Sequence, residues 1–288
     1  MDIGKISVFT FMDQMPAPES ANFVRKIERL GYKMLWYPEA WGREPFAHAG
    51  YLLAKTDSLI LATGIANIWV RDPMTMASCA RTLAEIGEGR FVLGIGVSHR
   101  SLVADLRGLD YSKPLSYMRR YIEQMKASIY RAIAPKTEPP LVIAAIHPKM
   151  LKLCSEQAQG TQTYLVTPAH TRRAREVLGK DAWVCVGQIT ILERDASKAR
   201  AAARKHLEFY TAQANYIRSL LAQGFTEEDI KTKSDRLIDE CVAWGDEKRI
   251  QERFDAHLAA GASQICMMPV RSDGNQPDER AMEAFAPR

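Results

Sequence analysis

The segment 59–98, LILATGIANIWVRDPMTMASCARTLAEIGEGRFVLGIGVS, limits the folds open to this chain more than any other stretch. Ile60, Leu61 and Ile65 make a short apolar strand, which residues 67–71 interrupt. Asp72-Pro73 then reads as a helix start, because an aspartate oxygen accepts from free backbone N–H groups and proline fits the first helical position. Met76, Ala80, Leu83 and Ala84 recur at helical spacing, so one face packs on a sheet. Gly87 and Gly89 end the helix, and FVLGI is a fully apolar strand closing at Gly96. Two apolar strands joined by one amphipathic helix predict a parallel sheet. Polar and glycine residues gather just after each strand, where parallel α/β folds place their chemistry.

The rest of the chain repeats this unit. Strands are predicted at 3–9, 33–37, 140–145, 163–166, 183–192 and 262–268, giving eight with the two above. Helices are predicted at about 19–30, 45–55, 114–130, 148–158, 168–178 and 246–260. The polar stretch 195–244 reads as mostly helical, with a break at Gly224. No linker or composition shift divides the chain. The expectation is therefore one domain over residues 1–288, an α/β fold of the (β/α)8 TIM-barrel type, with a helical insertion between strands seven and eight.

Composition narrows the function classes. The chain has no apolar run long enough for a membrane span and no basic-then-apolar leader, so a cytoplasmic protein without a membrane partner is expected. Its five cysteines are scattered, odd in number and never spaced as CxxC, which reads as reduced thiols in place of a disulfide frame or metal site. A net charge of +5 permits an anionic ligand but falls short of the basic stripe of a nucleic-acid binder.

The usual catalytic signatures are missing. Gly94-Ile95-Gly96 begins a GxG, but Arg100 takes the slot that a dinucleotide fingerprint reserves for glycine. There is no P-loop, no GxSxG and no HExxH, and the six histidines are far apart, so no metal is expected. What remains is polar residues at strand ends: Glu39, Asn67, Ser98, His99, His147 and Thr167. In a barrel they share one mouth. Each has a plainer reading, with Glu39 an exposed loop acid, His99 and His147 helix-end partners, and Thr167 a helix cap whose N-terminus also suits an anion. Trp41 and Trp69, in loops at the same end, are candidates to line a pocket for a flat ring.

Five segments, LGYKMLWYPEAWGRE, ATGIANIWVRDPMTMASCARTLAEIGEGRFVLGIGVSH, PPLVIAAIHPKMLKLCSEQAQG, YLVTPAHTRRAREVLG and DRLIDECVAWGDEKRIQERFDAHLAAGASQICMMPV, run almost the length of the chain. In that order they resemble the luciferase-like monooxygenase superfamily, in its deazaflavin-dependent (coenzyme F420) oxidoreductase branch. The resemblance implies a ring of isoalloxazine type in the barrel mouth. Carried over by position, that ring lies against the Gly64–Ile65 peptide, which the resemblance expects to be cis, and near Asn67. Gly96, Val97 and Ser98, with Ala144 and Ala145, are implied to hold the cofactor's tail, and the helix start at Thr167 its phosphate. Arg71, Arg100, Lys149 and Arg172 are candidates for the acidic end of that tail. A homodimer is a further implication.

The sequence also departs from the family pattern. Ala40 follows Glu39 where many relatives carry histidine, which argues against sugar-phosphate oxidation, and His147 replaces a common glycine. The expected function is hydride transfer between F420 and a small organic substrate. His99 is expected to exchange the substrate proton, since histidine titrates near neutrality, with Glu39 second. The rivals are an FMN-dependent monooxygenase on the same fold and a cofactor-binding barrel without its own chemistry.

Overall fold

The computed structural model describes residues 1–287. Its elements follow in the order β1 (Ile6–Phe9), α1 (Ala17–Arg29), β2 (Met34–Tyr37), α2 (Pro45–Leu53), β3 (Ile60–Thr63), β4 (Ala66–Asn67), α3 (Pro73–Ile86) and β5 (Phe91–Gly96). After a π-helical turn at Ser101–Asp105 come α4 (Pro114–Ala127), β6 (Leu141–Ala144), α5 (Pro148–Gln157), β7 (Gly160–Tyr164), α6 (Pro168–Leu178) and β8 (Trp183–Leu192). The chain ends with α7 (Ala196–Thr211), α8 (Ala214–Ala222), α9 (Glu227–Thr232), α10 (Asp235–Cys241), β9 (Ala243–Gly245), α11 (Glu247–Ala259), β10 (Gln264–Pro269) and α12 (Glu279–Ala284).

Eight strands close a parallel barrel, in the order β1-β2-β3-β5-β6-β7-β8-β10, with β10 pairing back onto β1. The expected TIM barrel is the fold observed, and α7–α10 form the insertion between barrel strands seven and eight. Local chemistry explains the frame. Asp72 caps α3 by accepting from Thr75 N at 3.0 Å, with Pro73 in the first turn. The helix buries Met76, Ala80, Leu83 and Ala84, the four residues its spacing marks, and also Ala77. Burying side chains the size of Met76 or Leu83 stabilises by about 1.5–3 kcal/mol each. Thr63, at the end of β3, donates to Gly94 O at 2.7 Å and accepts from Gly94 N at 2.9 Å, which fixes β5 beside it.

The structure differs from the predicted elements in four places. The Gly64–Ile65 peptide is cis, as the resemblance implies, and beyond it the chain forms β4, which pairs Ala66 with Ile95 and Asn67 with Gly96. The sixth barrel strand starts at Gly160 and stops at Tyr164, short of the predicted 163–166, and Leu165 takes a left-handed φ of 56°. The stretch 195–244 is four helices and ends in β9, which extends the sheet from β8. The helix α12 was not anticipated by periodicity.

Candidate active site

The C-terminal ends of the barrel strands open into a cavity of about 390 Å³, roofed by α7 and α8. Such a volume lies within the range of small-molecule sites. Gly64 and Ile65 line one wall. A Cβ on Gly64 would stand 2.6 Å from Phe9 Cε2 and 3.2 Å from both amide atoms of Gln162. The absent side chain thus leaves the cis peptide flush with its neighbours.

Glu39, itself part of the lining, secures that wall. Its backbone N–H donates to Ile65 O at 3.3 Å, and its Oε2 accepts from Asn67 N at 2.7 Å and from Arg71 Nη1 at 2.8 Å. Arg71 also pairs with Glu44 at 2.5 Å and lies over the Phe46 ring. Burial opposes the Arg71 charge, but the two carboxylates outweigh it and raise the guanidinium's pKa. The ion pair is only 12% and 10% exposed on its two sides, so Glu39 is not the open loop acid of its plainer reading. It also takes Arg71 out of the group of cations free to meet an acidic tail.

Asn67 and Gly96 stand behind the cavity wall and do not line it. Asn67 is buried and its Oδ1 accepts from Trp69 N, which shapes the following loop. Gly96 makes room for Ile65, because a Cβ there would lie 2.6 Å from Ile65 Cγ1. Val97 and Ser98 do line the cavity. Their carbonyls are held by Trp69 Nε1 at 2.9 Å and by the Tyr111 hydroxyl at 3.0 Å. Trp69 itself stacks on Tyr117, 4.2 Å between ring centres and 5° apart, so it braces the wall without facing the pocket. Trp41 does face it, against the edge of Phe209.

His99 sits between the rings of Phe209 and Tyr216, each 5.5 Å away. Its Nδ1 is buried with no hydrogen-bond partner. Burial lowers its pKa to about 4. The expectation of a ring titrating near neutrality is therefore corrected: at pH 7 His99 is the neutral imidazole.

Ala144, Ala145 and His147, at the end of the neighbouring strand β6 and just after it, continue the lining, and His147 Nε2 donates to Asn215 O at 3.1 Å. Thr167 lies outside the cavity. It caps α6 through His170 N at 3.4 Å, and its own N–H and hydroxyl both donate to Gln223 Oε1, at 2.8 and 3.1 Å. The inserted helices thus supply the acceptor at this helix start, which the resemblance assigned to a phosphate. Arg100, Lys149 and Arg172 are exposed, outside the cavity lining, and in no ion pair among the described residues.

Sequence reasoning missed the polar atoms of β7. Gln162 Nε2 and Thr163 Oγ1 are buried in the lining without partners. Tyr164, next along, has its hydroxyl 2.7 Å from His206 Nε2 of α7 and 3.5 Å from Met268 Sδ. A signal existed: GTQTY is the one polar strand in a barrel of apolar ones. The roof residues His206, Phe209, Tyr210 and Tyr216 fall in one aromatic-rich run, HLEFYTAQANY, but nothing local says that it folds back over the mouth.

Fold and mouth together define a barrel with a cavity of small-molecule size between its strand ends and an inserted helical roof. A model of the luciferase-like monooxygenase family matches residues 4–264, and the chain belongs to that family. The resemblance read from the sequence is borne out. The chain is 26% identical to the 5,10-methylenetetrahydromethanopterin reductase of Archaeoglobus fulgidus, over 88% of this chain and 90% of that one. In structure it is similar to the coenzyme F420-dependent tetrahydromethanopterin reductase of Methanopyrus kandleri, with a TM-score of 0.77 and 18% identity over 98% and 97% of the two chains. It is also similar to the oxygenating component of 3,6-diketocamphane monooxygenase of Pseudomonas putida, solved with FMN (TM-score 0.70, 12% identity, 98% and 96% covered).

Proposed function

We propose that this enzyme is an oxidoreductase that uses a deazaflavin of the coenzyme F420 type to exchange hydride with a small organic substrate. The coarser reading, an oxidoreductase with a deazaflavin or flavin, has the support of its relatives. One observation supports a ring site, for deazaflavin or flavin: an apolar cavity holds three buried, unpartnered polar atoms, on His99, Gln162 and Thr163, next to the flush Gly64–Ile65 wall. The choice of F420 rests on the exposed cations outside it and on F420-dependent relatives. Buried polar groups in native proteins find partners, so such atoms suit a flat heteroaromatic ring with a polar edge. The Gly64–Ile65 peptide and Gln162 would hold that ring, with Val97, Ser98, Ala144 and Ala145 along its side chain. Arg100, Lys149 and Arg172 remain the cations for an acidic tail, each a weak and salt-sensitive contact. Asn67, Gly96 and Thr167 act at one remove, by fixing the loops that line the site. When bound, a deazaflavin supplies a carbon centre that takes up or releases hydride as nicotinamide does.

His99 is proposed to take up the substrate proton in the oxidising direction, since burial keeps its imidazole neutral at pH 7 and a neutral imidazole has one accepting nitrogen. Glu39, held by Arg71 and Asn67 N, is proposed as a positioning residue. The test is Gln162→Leu, which removes the amide at nearly constant volume. F420 affinity is expected to fall about 10-fold, the size of one lost buried hydrogen bond, with thermal stability retained. Unchanged F420 affinity would remove this cavity as the ring's site.

A further inference from the structure

We propose that the cavity accepts an uncharged substrate presenting one carbonyl or hydroxyl oxygen, and that the Tyr164 hydroxyl, backed by His206, is the group that holds this oxygen. The inference deepens the reading of the mouth as a site of hydride exchange and rests on it. Glu39 alone among the lining residues carries a formal charge, and Arg71 already neutralises it. No lysine or arginine among the described residues lines the cavity, so an ionised substrate would lose its hydration there without gaining a partner.

Among the polar groups at the roofed end, which include Tyr210, Asn215 and Tyr216, the Tyr164–His206 pair joins barrel to roof. The Tyr164 hydroxyl lies 2.7 Å from His206 Nε2 and 3.5 Å from Met268 Sδ. In the arrangement proposed, His206 takes the Nε2–H tautomer and donates to the phenol oxygen, which leaves the Tyr164 proton directed at the sulfur. A thioether is a weak acceptor. A substrate oxygen is a stronger one, so the proton turns from sulfur to the substrate at little cost. Donation from His206 to the same oxygen polarises the hydroxyl and strengthens the bond it then makes. Packing fixes the geometry: Tyr210 lies 4.8 Å from the Tyr164 ring centre and Tyr216 6.0 Å from it. Burial also keeps Tyr164 protonated, by raising its pKa, and His206 neutral, by lowering its pKa to about 4. Tyr164 ends β7 and His206 belongs to α7, so barrel and insertion each contribute one half of the pair.

The experiment titrates the purified protein, without cofactor, with acetophenone, ethylbenzene and benzoate, and follows each ligand by NMR. Acetophenone and ethylbenzene share a shape but not an oxygen, and benzoate adds a charge. Tyr164→Phe is expected to weaken acetophenone about 5–10-fold and leave ethylbenzene unchanged, the effect of one hydrogen bond. His206→Gln keeps a donor beside the phenol and is expected to cause a smaller loss, again for acetophenone alone. The proposal is overturned if acetophenone fails to bind the wild type, if Tyr164→Phe leaves its affinity unchanged, or if both variants lose both ligands equally. Benzoate binding as tight as acetophenone overturns the substrate class. F420 binding is scored separately, so failure of the cofactor assignment is distinguishable from failure of this one.

Discussion

Glu39 shows how a residue selected for chemistry finds its place in support. One carboxylate oxygen gathers the Asn67 N–H and the Arg71 guanidinium, while the backbone N–H takes Ile65 O. The contacts to Ile65 O and Asn67 N bear directly on the cis peptide and the two residues after it. Glu39→Ala is expected to lower stability by about 1–3 kcal/mol, because a buried N–H loses its acceptor while Arg71 keeps Glu44. F420 affinity is expected to fall alongside. Thermal melts and cofactor titration of the variant check this, and a variant with unchanged melting would contradict the clamp. The position of Glu39 after a strand was legible in the sequence, but its partners were not, since Arg71 lies 32 residues away in the chain. His99 repeats the lesson: its type suggests titration near pH 6.5, and only the roof rings above it reveal the neutral state.

At the scale of elements, the inserted helices decide the shape of the site. α7 and α8 supply the roof, and Gln223, just past α8, ties them to the barrel. Its Oε1 accepts from Thr167 N and Oγ1, while Nε2 donates to Leu165 O at 3.4 Å and Ser219 Oγ at 3.2 Å. Gln223→Ala leaves a buried N–H at the start of α6 without its acceptor. Amide exchange across 206–223 is expected to quicken, with a loss of about 1–3 kcal/mol in stability, and hydrogen-exchange mass spectrometry reads both the site and the extent. Protection unchanged in that stretch would contradict the tie. The sequence exposed β5 through an unbroken apolar run, β8 through a mostly apolar one that Gln188 and Thr190 interrupt, and α3 through its cap and spacing. β4 and β9, at two and three residues, are too short for any period to show. β7 was misplaced because its polar residues, threonine and glutamine, face a cavity and so break the apolar rule by which barrel strands are found. The path of the insertion back over the mouth is set by tertiary contacts that no local pattern contains.

For the whole molecule, the barrel separates stability from chemistry. The strand interiors and helix faces are mostly apolar and buried. Of the buried polar atoms without a partner among the described residues, those of His99, Gln162 and Thr163 gather at the mouth, while His170 Nδ1 and His257 Nε2 lie outside it. Three exposed cations, Arg100, Lys149 and Arg172, stand outside that cavity, and the net charge of +5 favours an anionic partner. The ring site suits a deazaflavin and a flavin alike, so the proposed preference for F420 over FMN rests on tail recognition outside the cavity. Parallel optical titrations of the purified apoprotein with oxidised F420 and with FMN, at low and high salt, test this most directly. The account predicts a Kd for F420 at least about 10-fold below that for FMN, with the advantage shrinking as salt rises. Tight binding of FMN with no detectable binding of F420 would contradict it and make the enzyme a flavin monooxygenase.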